Sequence, residues 1–269
     1  MPRVAIGEHD HLYYEVHGRG EPLLLIEGLG YATWMWHWQL PALSARYRTI
    51  IFDNRGVGDS SKPDAPYSIE GMAEDALRVL EASGTGKAHI LGVSMGGYIG
   101  QVLAATRPEL AASLILCSTS CGGPKATPAP PETWQSILAA RALPPREALR
   151  RSMEPAFAPG FAGAHPALVE QIIDWRLAKP TPAHAWERQF QAVAAANLER
   201  HAAAVRSPTL ILTGDADRVV PSANSELLRR LIPQAELGVI PGGGHLVFVE
   251  QAERVNQILL DFLGRHPLG

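Results

Sequence analysis

Ala88-His89-Ile90-Leu91-Gly92-Val93-Ser94-Met95-Gly96-Gly97-Tyr98 is the stretch from which the fold can be read. Apolar and neutral residues lead to Gly92, a serine stands two residues later, and a second glycine two residues after that. The spacing predicts a buried strand, a sharp turn at Ser94, and a helix over Tyr98 to Thr106 closed by Arg107-Pro108. Small residues are needed around the serine because the turn is strained and strand and helix pass very close. Such a turn lifts the hydroxyl clear of the sheet. The first N–H groups of the helix then point where negative charge would develop. The five-residue pattern alone also fits a turn serine that caps a helix. The strand before it and the helix after it are what favour a nucleophile.

Outward from this centre, strand and helix patterns alternate. Arg3 to Ile6 and Leu12 to Val16 read as a hairpin around Gly7-Glu8-His9-Asp10. Leu23 to Ile26, Thr49 to Phe52 and Ser113 to Cys117 are continuous apolar runs, the signature of strands covered on both faces. Ile69, Met72, Ala73, Ala76, Leu77 and Leu80 fall on one helical face. From about Gly122 to Ala204 the strand signal stops. Four helical segments are expected there, Glu132–Ala142, Arg146–Phe157, Pro166–Ala178 and Pro182–Ala195, between Pro- and Gly-rich joints. Strands resume at Thr209–Thr213 and near Leu237–Ile240, before a last helix carrying Val255, Ile258, Leu259, Phe262 and Leu263. The expected architecture is α/β: a mostly parallel eight-stranded sheet flanked by helices, with a helical cap inserted. Residues 1–121 and 205–269 would form the core domain and 122–204 the cap.

Composition bounds the function. The chain has 269 residues, 46% of them hydrophobic, so a large core can form, and a net charge of −3 argues against nucleic acid or an anionic membrane as partner. No apolar run approaches the ~18 residues of a membrane span. No secretory leader is visible, and a cytoplasmic protein is expected. Cys117 and Cys121, if extended, would lie roughly 13 Å apart, too far for a disulfide, and their spacing does not suit zinc.

A serine hydroxyl needs a base, and the base an orienting acid. Two loops after predicted strands supply candidates: Gly214-Asp215-Ala216-Asp217-Arg218-Val219-Val220-Pro221 and Gly242-Gly243-Gly244-His245. Open α/β sheets gather their sites at the carboxyl ends of strands, so these loops can meet Ser94. Periodicity does not choose between Asp215 and Asp217, which would point the same way along an extended chain.

The order Ser94, Asp217, His245 resembles the chain order of α/β-hydrolase triads. The chain resembles that superfamily, and within it the capped bacterial esterase and enol-lactonase group. Gly28-Leu29-Gly30 resembles the oxyanion loop. Asp53-Asn54-Arg55-Gly56-Val57-Gly58-Asp59-Ser60 resembles the D-x-R-G-x-G-x-S turn. The spacing from Gly214 through Asp217 to Pro221 resembles the acid loop and selects Asp217. Many members carry His before the first oxyanion-loop glycine, where this chain has Glu27. The resemblance implies a serine hydrolase acting on carboxylic esters or lactones through an acyl-enzyme. Ser94 would be the nucleophile, His245 the base and Asp217 the acid, with the N–H groups of Leu29 and Met95 as oxyanion donors. It implies no metal and no organic cofactor. The partner would be a small-molecule ester or lactone, and both monomer and homodimer stay open. Enol-lactone opening, C–C hydrolysis and perhydrolysis use the same triad, and a non-catalytic receptor on this fold is the alternative of another class.

Gly28 and the cap tryptophans Trp134, Trp175 and Trp186 are candidate pocket residues, although each tryptophan also suits a core. Trp34, Trp36 and Trp38 fall on different faces, so some would be core and another would line the pocket. His89 reads as a core or strand-end residue. Arg55 with Asp59 reads as a brace between turns before an anion site. Gly84-Thr85-Gly86-Lys87 lacks two elements of a P-loop and reads as a turn. The apolar cap content suggests neutral esters, a bias that Arg141, Arg146, Arg150 or Arg151 could offset by meeting a carboxylate.

Overall fold

The computed structural model describes residues 2–140 and 142–268; Arg141, one of the cap arginines singled out above, lies outside them. The strands are β1 (Arg3–Ala5), β2 (His11–His17), β3 (Pro22–Ile26), β4 (Arg48–Phe52), β5 (Ala88–Val93), β6 (Ala111–Cys117), β7 (Thr209–Gly214) and β8 (Glu236–Ile240). They form one eight-stranded sheet in the order β1-β2-β4-β3-β5-β6-β7-β8. β1–β2 and β2–β4 pair antiparallel and every later pair is parallel, as the hairpin and the apolar runs predict.

Alternate residues of the central strands feed two hydrophobic layers. Leu24, Ile26, Ile50, Phe52, Ile90, Leu114, Leu116 and Ile211 face one layer. Leu23, Leu25, Ile51, Leu91, Val93, Ile115, Leu210 and Leu212 face the other. The first layer is covered by α2 (Ile69–Ala82), α3 (Met95–Thr106) and, further along the chain, the 223–231 helix. α2 buries Ile69, Met72, Ala73, Ala76 and Leu80 of the predicted face, and Ser68 caps it by accepting from Gly71 N–H at 3.0 Å. The second layer is covered by the short α1 (Leu40–Ser44), by Trp36 from a 3₁₀ turn over Thr33–Trp38, and by the C-terminal helix.

Between β6 and β7 lie α4 (Pro131–Ala140), α5 (Pro145–Met153), α6 (Phe161–Ala164), α7 (Pro166–Ala178), α8 (Ala183–Ala195) and α9 (Glu199–Ala204), and among the described residues no named strand. The four predicted segments appear as α4, α5, α7 and α8; Arg146–Phe157 divides at Glu154, where a 3₁₀ turn carrying Pro155 follows α5. The two ends of the insertion are pinned together. Gly122 and Asn197 form an antiparallel bridge, and Leu198 N–H donates to the Cys121 carbonyl at 2.8 Å. α9 packs against α3 and α10 (Ala223–Leu231). α11 (Val247–Glu250) and α12 (Ala252–Gly264) complete the chain. Both cysteines are free and buried. Among the described residues no helix is long and apolar enough to cross a membrane.

Candidate active site

Ser94 stands between β5 and α3 with φ 52° and ψ −120°, a left-handed conformation that costs a non-glycine residue of order 1–3 kcal/mol. Its side chain makes no capping hydrogen bond, so the helix-cap alternative is not what the structure contains. The helix begins at Met95, directly after the turn, so that Gly96 and Gly97 lie in its first turn, where the periodic part of the sequence pattern starts only at Tyr98; these glycines serve close packing. A Cβ on Gly96 would lie 2.0 Å from the Ile26 carbonyl oxygen, and one on Gly92 2.2 Å from the Gly96 carbonyl oxygen. Three backbone segments therefore touch where the pattern has glycine. Thr119 fixes the turn from the end of β6, its hydroxyl donating to the Ser94 carbonyl at 2.7 Å.

The loop after β3 lies against the serine. A Cβ on Gly28 would be 3.1 Å from Ser94 Cβ and 3.7 Å from its Oγ. Among the described residues neither the Leu29 nor the Met95 N–H has a hydrogen-bond acceptor within the chain. Gly30 N–H donates to Gln189 Oε1 at 2.9 Å, and Gln189 Nε2 donates to the Arg55 carbonyl at 2.8 Å. Gln189 is buried in the middle of α8. It ties this loop and the turn after β4 to the insertion.

Asp217 and His245 come together at the ends of β7 and β8. His245 Nδ1 lies 2.9 Å from Asp217 Oδ2, with both residues 6% exposed. The other Asp217 oxygen, Oδ1, accepts from Val219 and Val220 N–H, both at 2.8 Å, so the carboxylate is held from two sides. Asp215 is exposed and accepts from Gly242 N–H at 2.7 Å, bracing the same two loops from outside. Close approach explains the glycines here: a Cβ on Gly214 would meet the Gly243 carbonyl oxygen at 2.1 Å. No hydrogen bond joins Ser94 Oγ to His245 among the described residues. Pairs of this kind are often loose without substrate. A buried Asp–His pair, a strained serine hydroxyl and two unengaged N–H groups, all at or next to the carboxyl ends of parallel strands of one sheet, are the groups that proton abstraction from a hydroxyl and stabilisation of an oxyanion require.

Glu27 is 1% exposed. Its Oε2 accepts from Gly28 N–H at 2.9 Å, and its Oε1 has no partner. Burial, helped by Asp53 and opposed by the Gly28 N–H, pushes its carboxyl up to about 8. Asn54 Nδ2 donates to the Glu27 carbonyl at 3.0 Å. Glu250 was not singled out from sequence. Its two oxygens accept from Gly244 and Ala158 N–H, each at 3.0 Å, so it joins the His245 loop to the insertion; burial raises its carboxyl. Arg218 does the same for the acid loop, donating to the Glu154 and Phe157 carbonyls at 3.0 Å.

The tryptophans separate. A Cβ on Gly30 would be 3.2 Å from Trp186, which stacks on Phe190, and Trp134 meets Phe190 edge-on, so these two belong to one aromatic group over the loop. Trp175 lies elsewhere: it packs on Trp34, His37 and Trp38 and lines a cleft with Tyr13 and Glu15 that does not include Ser94. Trp36 is fully buried. Arg55 forms a two-pronged pair with Asp75 at 2.5 and 2.7 Å, and Asp59 pairs with Lys179. His89 is buried, with Nδ1 2.8 Å from Ser113 Oγ; burial lowers its pKa. Arg146 and Arg150 pair with Glu170 on the exposed surface. An arginine that does reach the loop after β3 is Arg176 of α7, 3.5 Å from a Cβ built on Gly30 and 5.0 Å from the Tyr31 ring centre.

A carbamate hydrolase RutD of Azorhizobium caulinodans, so named only provisionally, is 32% identical over 264 residues, 98% of both chains. The enol-lactonase from Burkholderia xenovorans LB400 superposes with a TM-score of 0.85 at 27% identity, covering 98% of this chain and 100% of its own. A thermophilic esterase from Thermogutta terrifontis superposes with a TM-score of 0.82 at 30% identity over 99% of each chain. The family model for the alpha/beta hydrolase fold matches residues 21–252, and with the sheet order, the turn at Ser94 and these relatives the chain belongs to the α/β-hydrolase family.

Proposed function

We propose that the chain is a serine hydrolase that cleaves carboxylic esters or lactones through an acyl-enzyme. Ser94 Oγ attacks the carbonyl carbon while His245 takes its proton, and Asp217 holds the imidazole in the required tautomer. The tetrahedral oxyanion is received by the N–H groups of Leu29 and Met95, which have no acceptor among the described residues. His245 then returns the proton to the departing alkoxide. Water repeats the two steps on the acyl-enzyme and frees the acid. Residues 122–204 act as the cap over this site.

The carrying observation is the buried Asp217–His245 pair, its carboxylate fixed by two further N–H donors, at the carboxyl ends of the same parallel sheet whose β5 ends in the strained Ser94. An esterase and an enol-lactonase among the structural relatives support the same bond class. Arg176 over Tyr31 favours a second choice of substrate within it, one carrying a carboxylate. Turnover of an ester and lactone panel, with Ser94→Ala as control, tests the proposal. Activity that survives Ser94→Ala, or a serine-directed phosphonate that labels another residue, would overturn it.

A further inference from the structure

Glu27 occupies the position from which the oxyanion loop departs, directly after β3. Its backbone is wedged there: a Cβ on Gly96 would be 2.9 Å from the Glu27 carbonyl oxygen, which also accepts from Asn54. Its side chain folds forward onto its own loop, where Oε2 takes the Gly28 N–H. This fixes the peptide plane just before the one that carries the Leu29 N–H. A Cβ on Gly28 would touch Ser94, so the carboxyl lies within two peptide units of the reacting hydroxyl. Nothing neutralises it. Oε1 has no partner, and no cation forms an ion pair with Glu27 among the described residues.

The groups facing Glu27 make a second charge costly. Asp53, at the end of β4, is itself a buried carboxyl whose pKa burial raises. Tyr31, on the same loop, is moved up from the ordinary phenol value by burial and by Glu27, against the Arg176 guanidinium of α7, which bonds the phenol and not Glu27. Cys117, at the end of β6, is pushed up to about 12. The first turn of α3 contributes only Met95, Gly96 and Gly97, none of them titratable. Burial without a cation makes the neutral acid the stable form, with the Oε2 carbonyl still able to accept from Gly28. Ionised, the same group becomes a fixed negative charge next to the place where an oxyanion must form.

We propose that Glu27 is a positioning residue of the oxyanion loop that works only as the neutral acid, and that its ionisation slows the reaction at Ser94. The proposal rests on the serine-hydrolase reading. As an acceptor, Glu27 sets the angle of the Gly28–Leu29 segment. As a titrating group, it opposes the transition state more than the bound substrate, so the loss falls on kcat rather than KM.

The experiment is the pH dependence of kcat and KM for a neutral p-nitrophenyl ester, with wild type, Ser94→Ala, Glu27→Gln and Glu27→Ala. Wild-type kcat should fall on the alkaline side, around pH 8, by roughly tenfold or more, the size expected for a like charge several ångströms from the oxyanion in a buried site. Glu27→Gln keeps an oxygen acceptor for Gly28 and cannot ionise, so it should keep its kcat through that range. Glu27→Ala loses the acceptor and should be slow at every pH, with Glu27→Gln as the rescue. An alkaline limb that persists in Glu27→Gln while Ser94→Ala is inactive overturns the Glu27 proposal alone. Turnover unaffected by Ser94→Ala overturns the underlying reading and this proposal together. Should neither Glu27 variant fold, wild type still decides, since a kcat level to about pH 9.5 is incompatible with an acid that ionises near pH 8 and slows the reaction when it does.

Discussion

Asp215 and Asp217 differ by two positions and by everything around them. Asp217 is buried, with one oxygen on His245 and the other on two N–H groups, whereas Asp215 is exposed and holds one N–H of the neighbouring loop. Asp217→Asn should keep the fold but favour the wrong imidazole tautomer, lowering kcat by ~10³–10⁴. Asp215→Asn retains an oxygen for Gly242 and should change kcat little. Equal losses in steady-state assays of the two variants would refute this assignment. Strand periodicity left the pair open, because the difference arises from how the chain turns after Gly214; only the resemblance of the Gly214–Pro221 spacing to an acid loop selected Asp217. Glu27 adds a prediction about stability. Its ordinary value is 4.5 and its folded value about 8, so in that interval the unfolded chain has released a proton that the native protein still holds. The contribution of Glu27 to stability therefore falls as pH rises from about 4.5 to 8, by up to ~1.4 kcal/mol per pH unit. Glu27→Gln lacks this term. Its advantage over wild type in urea unfolding should grow by a few kcal/mol across that window and level off above it. Parallel pH curves for the two proteins would contradict a raised Glu27.

At the scale of elements, the apolar runs and the helical periodicities were legible because burial on two faces, or on one, writes itself directly into a pattern. The insertion was legible only as helices. Which helix lies over the oxyanion loop depends on a single buried glutamine, Gln189, and on Arg176, and neither stands out within α8 or α7. The arginines that did stand out, Arg146 and Arg150, are spent on Glu170 at the surface. Arg176 forms no ion pair with a carboxylate among the described residues and is half-buried against Tyr31, so a carboxylate brought to the loop would meet a cation whose charge is not already neutralised. Arg176→Leu should cut kcat/KM for an ester bearing a free carboxylate by about 10-fold or more, the worth of a hydrogen bond to a charged group. A neutral ester of equal length should be affected far less. A parallel loss on both esters would mean that Arg176 only packs on Tyr31.

Across the whole molecule, the sheet and the insertion share one hydrophobic layer. Met153, Phe157, Val169, Ile172 and Ile173 from the insertion belong to the same buried cluster as Leu212, Val247, Phe248 and Trp36. Polar ties run across the same boundary: Gln189 to Gly30, Arg218 to Phe157, Glu250 to Ala158, and Leu246 N–H to the Ala156 carbonyl at 2.9 Å. No sequence pattern foretold this, since a helix signal does not say which neighbour receives its apolar face. A lid attached only by exposed ion pairs would loosen by itself, because such pairs contribute little. A layer built jointly by both parts cannot lose one part without exposing the other, so insertion and sheet should unfold in a single cooperative transition. Phe157 is the residue on which to test this. It is fully buried, stacks on Phe161, and its carbonyl receives Arg218 from the acid loop. Phe157→Ala should cost about 3–5 kcal/mol and lower the melting of the whole chain, not of the insertion alone. Calorimetry should give one peak for wild type and variant alike, and hydrolase activity should disappear along the same curve as far-UV dichroism. An early transition that removes activity while the strand signal persists would mean that the insertion folds as a separate unit.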